Sequence, residues 1–117
     1  KWVEGDLQTP EGIYTSTDKP NSSFRNAIAI HYPNRHDARA GLESKRISQQ
    51  TYQQIIIAID QGLKPPQNTK LGGEILIHGG GGDSDWTLGC VALDDNYLLT
   101  LRSLLPADMK TSVIIVP

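Results

Sequence analysis

Pro10, Gly12, Pro20, Asn21, Pro33, Asn34 and Gly41 interrupt the first 47 residues so often that a long helix is not expected there. Short runs with strand character lie between them. Ile13–Thr17 carries β-branched and aromatic side chains. Ala27–Tyr32 is apolar on both faces up to His31, which is the pattern of a buried strand, although its alanines weaken the preference. Residues Ser48–Gln61 then read as a helix. Ser48 suits the N-cap, Gly62 suits the C′ position, and Tyr52, Ile55, Ile56 and Ile59 form one apolar stripe. Pro65-Pro66 blocks its continuation. Glu74–His78 reads as a short core strand, followed by the glycine run Gly79–Gly82 and a polar, irregular stretch over Asp83–Gly89. Asp94 or Asp95 can cap a second helix over Asn96–Leu105, with Tyr97, Leu98, Leu101, Leu104 and Leu105 on a shared face. Val113–Val116 closes the chain as a strand. The order predicts a mainly β fold with two helices, a β-rich α+β class.

A length of 117 residues suits one domain spanning 1–117. With 38% hydrophobic and 21% charged residues, the chain can form a core and is not expected to be disordered. The net charge of -2 disfavours a nucleic-acid partner, because phosphate binding needs clustered Lys and Arg. No apolar run approaches the ~20 residues of a transmembrane segment. The chain opens at Lys1-Trp2-Val3, with neither an initiator Met nor an apolar leader, so the true start is expected to have been removed. Cys90 is the one cysteine, which excludes an internal disulfide and a cysteine-based zinc knuckle.

The pair that could carry chemistry is His78 and Cys90. An imidazole within reach of a thiol can accept its proton and stabilise the thiolate. Gly89 lets the backbone turn sharply before Cys90 and brings peptide N–H groups near the sulfur, where they could hold an oxyanion. Spacing specifies no Asp or Asn to orient His78, so a backbone carbonyl is the candidate. The same residues also fit an inert buried thiol beside a structural histidine. The glycine run lacks the Lys and Ser/Thr of a phosphate loop, and no Gly-x-Ser-x-Gly elbow accompanies it. His31, His36 and Asp37 match no metal-ligand spacing and read as surface or loop residues rather than metal ligands. Trp2 and Trp86 fit either a substrate platform or packing.

Several segments together resemble the L,D-transpeptidase (YkuD-type) catalytic domains. Gly5-Asp6-Leu7-Gln8-Thr9-Pro10-Glu11-Gly12-Ile13-Tyr14 is similar to the family's Gly-Asp-x-x-Thr-Pro-Glu-Gly-x-Tyr signature. Ile77-His78-Gly79 resembles its strand-borne His-Gly, and Thr87-Leu88-Gly89-Cys90-Val91 resembles its Ser/Thr-x-Gly-Cys-Ile/Val motif. Asn21–Phe24 and Tyr32-Pro33-Asn34 are similar to stretches of the YafK-like branch. The resemblance runs from Gly5 to Val116. It implies a curved sheet or sandwich bearing a thiol acyltransferase site, with Cys90 as nucleophile and His78 as base. The amides of Gly89 and Cys90 would hold the oxyanion, and the Gly79 carbonyl would orient the imidazole. Trp86, Thr87, Leu88 and Gly80 would line the substrate position. The implied donor is a peptidoglycan tetrapeptide stem, and the acceptor an amine of another stem or of a protein. Water as acceptor would make a carboxypeptidase or amidase, and a non-catalytic wall-binding module is the other reading. No cofactor is implied, and the implied location is the periplasm or an extracytoplasmic wall. Leu88 stands where the usual motif has His, and Ala92 where it often has Arg or Asn. Arg25, Arg35, Arg39, Lys45 and Arg46 are candidates for the missing positive charge, or solvated surface residues. Family domains usually begin with strands upstream of the Gly-Asp segment. Those strands are expected in a longer parent or lost from this version of the fold.

Overall fold

The computed structural model describes residues 1–80 and 89–117. Among them lie strands β1 (Gly12–Asp18), β2 (Ile28–Ile30), β3 (Leu76–His78), β4 (Val91–Ala92) and β5 (Thr111–Ile115). The helices are α1 (Arg35–Glu43), α2 (Gln49–Asp60) and α3 (Asp95–Ser103). The strands form one sheet in the order β4-β3-β2-β1-β5. All neighbours are antiparallel except β3 and β4, which run parallel. This is a β-rich α+β architecture.

The two-residue alternation of a strand separates the faces of the sheet. Ile28 and Ile30 of β2 join Tyr14, Ile75 and Ile77 in the main core, against Ala38, Ile55 and Leu98 from the three helices. Ala27, Ala29 and Leu76 form a small second cluster, and Cys90 packs on it. The alanines that weaken the strand preference of this segment therefore have a use. Their small side chains floor the place where the thiol sits.

The helix over 49–60 follows its sequence signals closely. The Ser48 side chain accepts from Thr51 N–H, and Ile55 is buried with Tyr52, Ile56 and Ile59 packed beside it. At the second expected helix Asp94 is the cap, accepting from Asn96 N–H. The buried stripe there is Leu98, Leu101 and Leu105, whereas Tyr97 and Leu104 point outward at 72% and 77% exposure. The expected shared face was too wide, because the i, i+3, i+7 row suffices to meet the sheet.

A third helix, α1, lies in the segment that reads as punctuated turns. It starts because the Asn34 side chain accepts from Asp37 N–H while the Asp37 side chain accepts from Asn34 N–H, a capping box. Its buried positions are Ala38 and Gly41. So short a stripe gives little periodic signal. It needs close approach, since a Cβ on Gly41 would lie 2.8 Å from Leu71 Cδ2. The expected strand over Glu74–His78 begins only at Leu76, because Glu74 adopts a left-handed φ of 54°. Its amide donates to Gln67 Oε1 at 2.8 Å. The expected irregular run over Asp83–Gly89 falls outside the described residues up to position 88.

Candidate active site

His78 ends β3 and is 8% exposed. Its Nδ1 lies 2.8 Å from the Gly79 carbonyl oxygen. A carbonyl can only accept, so Nδ1 carries the proton and the Nε2 lone pair is left for other work. The Phe24 ring stacks on the imidazole at 4.0 Å between centroids and 18° between planes. One ring edge and one ring face of His78 are thus fixed by protein groups.

Cys90 is brought near by strand register. β3 and β4 pair in parallel as Ile77↔Val91 and His78↔Ala92. Cys90, two residues before Ala92, therefore stands on the same face as His78, beside Leu76. The Cα atoms sit about 8 Å apart on the diagonal, from strand spacing and rise. The sulfur accepts from Leu76 N–H at 3.3 Å and donates to the Glu74 carbonyl at 3.4 Å. Burial pushes the Cys90 thiol pKa up. The Leu76 amide and Lys1 oppose that shift, and Glu74 adds to it. The resting group is a protonated thiol held on the backbone of β3.

Gly89 precedes the thiol in a left-handed conformation, with φ 113°. A Cβ there would lie 2.8 Å from the Gln8 carbonyl oxygen and 3.1 Å from Ile75 Cδ1. The Gln8 carbonyl belongs to the Gly5–Tyr14 segment, and Asp6 organises that segment. Asp6 accepts from the amides of Trp2 at 2.6 Å, Val3 at 3.0 Å and Gln8 at 3.0 Å, and from Lys1 Nζ at 3.0 Å. The signature-like N-terminal stretch thus shores up the backbone next to Cys90.

A cleft of about 660 Å³ opens over the sulfur, lined by Lys1, Lys19, Phe24, Gln67, Glu74 and Cys90 among others. Lys19 and Glu74 pair across it at 3.8 Å. The cations of this cleft are Lys1 and Lys19, which local sequence patterns gave no reason to single out. Three of the arginines considered from sequence are engaged elsewhere, and Arg25 lines a neighbouring surface hollow with Asp18, Lys19 and Phe24. Arg35 pairs with Asp60, Arg39 with Glu43, and Arg46 bonds the Trp2 carbonyl and stacks on its ring. Of the residues expected to line the substrate position, Gly80 sits in the turn after His78, with its N–H donating to Asp95 Oδ1 at 2.8 Å. Trp86, Thr87 and Leu88 lie outside the described residues. His31 bonds Thr17 Oγ1 through Nε2 at 2.8 Å. Among the described residues no cluster of three His, Cys, Asp or Glu side chains could hold a metal ion, and no helix is long and apolar enough to cross a membrane.

Chemically, the arrangement offers an imidazole whose Nδ1 is held by the Gly79 carbonyl, a thiol on the same sheet face and a cleft that opens at the thiol. A family model described as the L,D-transpeptidase catalytic domain, YkuD, matches residues 3–115. No curated protein sequence matches the chain. Among solved structures, the helical cell shape determining protein Pgp2 from Campylobacter jejuni superposes with a TM-score of 0.59 at 27% identity, over 97% of this chain and 33% of that one. Its K307A mutant gives a TM-score of 0.60 at 27% identity, over 97% and 32%. The chain thus spans about a third of the length of these structures.

Proposed function

The chain belongs to the YkuD family of L,D-transpeptidase catalytic domains, and on that premise we propose that residues 1–117 form one cysteine acyltransferase domain acting on peptidoglycan tetrapeptide stems. Cys90 rotates off the β3 backbone and passes its thiol proton to His78 Nε2. The sulfur attacks the carbonyl of the stem's diamino acid at its L-centre. The amides of Gly89 and Cys90 face the oxyanion that forms. Collapse breaks the peptide bond, and the terminal D-residue leaves as an amine carrying the proton from the imidazolium. A thioester remains on Cys90. An acceptor amine then attacks that thioester and gives a proton to His78. The sulfur departs and recovers it, leaving a new amide. Gly79 holds the imidazole throughout, and Lys19, loosely paired with Glu74 at the cleft, supplies positive charge to a stem carboxylate.

The observation that carries this reading is the shared sheet face of Cys90 and His78, with Nδ1 already committed to Gly79. Phe24 supports it, since an aromatic face stabilises an imidazolium by roughly 0.5–1 kcal/mol. The raised thiol pKa fits proton transfer during attack rather than a standing thiolate. The substrate class puts the domain in the periplasm or the extracytoplasmic wall. Pgp2 is a cell shape determining protein, and an effect on cell shape is proposed for this chain by that likeness.

Mass spectrometry of tetrapeptide muropeptides incubated with the protein tests the proposal. A cross-linked dimer lacking one terminal D-residue is expected, and none with Cys90→Ala. Release of the D-residue without a dimer would replace transpeptidation by hydrolysis at the same site. Product formation by Cys90→Ala, or none by either protein, would overturn the assignment.

A further inference from the structure

We propose that Asp95 is a positioning residue for His78, acting through the Gly79–Gly80 peptide; this rests on reading Cys90 and His78 as nucleophile and base. The Gly79 carbonyl and the Gly80 N–H belong to one peptide bond. That unit is planar and trans, so its carbonyl and its N–H point in opposite directions. The carbonyl accepts from His78 Nδ1 at 2.8 Å, and the N–H donates to Asp95 Oδ1 at 2.8 Å. Fixing one end of the plane aims the other. A carboxylate gripping the N–H also polarises the unit and makes its carbonyl a better acceptor. The carboxylate thus reaches the imidazole at one peptide's remove, and it steadies the imidazolium formed when Nε2 takes a proton.

Two features of the sequence make this contact possible. Gly79 has no Cβ, and a Cβ built there would overlap Asp95 Oδ1. Only glycine lets the carboxylate come so close to the turn. Asp95 is also the first residue of α3, directly after the Asp94 cap. A carboxylate is favoured at that end of a helix dipole. The run from Cys90 through β4 to Asp95 is continuous. One short stretch of chain therefore delivers both the thiol and the group that orients its base.

The test reads the His78 ring directly and does not need a peptidoglycan substrate. Imidazole ¹⁵N shifts report which ring nitrogen is protonated, and iodoacetamide labelling of Cys90, the sole cysteine, reports how readily the thiol loses its proton. In Asp95→Ala the Nδ1–H form is expected to lose its dominance, and labelling at neutral pH to slow roughly tenfold, towards the rate of His78→Ala. Asp95→Asn keeps an oxygen for the Gly80 N–H, so its tautomer should match the parent and its labelling stay within about threefold. An unchanged tautomer and rate in Asp95→Ala would overturn the proposal, as would an Asp95→Asn variant as impaired as Asp95→Ala. If Asp95→Ala does not fold, Asp95→Glu keeps the charge but moves the oxygens by one methylene. A shifted tautomer balance in that variant supports the relay, and an unshifted one refutes it. Labelling unaffected by His78→Ala would instead undo the nucleophile–base reading, while the tautomer would still decide the role of Asp95.

Discussion

At Gly89 the backbone is left-handed, with φ 113°, and the Gln8 carbonyl fills the space where a side chain would start. Both constraints oppose any other residue. A left-handed conformation costs an L-residue about 1 kcal/mol or more, and the overlap adds to that. We expect Gly89→Ala to destabilise the fold by about 2 kcal/mol or more and to remove muropeptide turnover. Urea unfolding alongside the activity assay checks this, and wild-type values in both would show that the Gln8 contact does not matter. His78 and Cys90 were legible as residue types, since a strand-borne His and a Gly-Cys pair are local patterns. Their present partners were not. Leu76, Glu74 and Phe24 meet them through strand register and a loop closure that no short motif spells out.

Element by element, the legible helix was the one with a wide apolar stripe. α2 has isoleucines to bury and Ser48 to start it. α1 was hidden because its contact face is Ala38 and Gly41. Its clearest signal is the Asn34–Asp37 box, which sits just after Pro33 in a stretch that otherwise reads as turns. Asp37 has a second duty, accepting from the Tyr14 hydroxyl at 2.8 Å. The box thus ties α1 to β1. Asn34→Ala should cost about 1 kcal/mol, and Asn34→Ser should restore most of it. The readout is the denaturant midpoint at constant slope, and an Ala variant as stable as the parent would deny the cap its role. The parallel pairing of β3 with β4 matters most at this scale. It turns two residues 12 apart in sequence into neighbours on one face.

For the molecule as a whole, two buried or bonded groups make acid the destabilising direction. His31 is held below its ordinary value by burial first, then by Lys64 and Lys110. Burial alone would raise the Asp6 pKa, but the amides of Trp2, Gln8 and Val3 and the Lys1 ammonium outweigh it and hold Asp6 well below the usual carboxylate range. In each case the unfolded chain binds the proton more readily than the folded one. Stability therefore falls as pH falls. The loss through His31 begins below about 6.5, and the loss through Asp6 below about 4. Urea midpoints from pH 8 to pH 3 should decline in both windows. The gap between the parent and Asp6→Asn should narrow in the lower one. A gap constant across that window would remove Asp6 from the account.

The sequence by itself determined the class of fold, the bounds of α2, the resemblance of three ordered motifs and the choice of His78 and Cys90 as candidates. Those features are set within a few residues, by capping, periodicity and covalent neighbours. Tertiary structure alone decided that Ala27 and Ala29 floor the thiol, that Lys19 meets Glu74 at the cleft, and that Asp95 reaches the turn beside His78. Each of these contacts joins residues far apart in the chain. They depend on strand register and on the packing of the whole core, which short-range patterns do not encode.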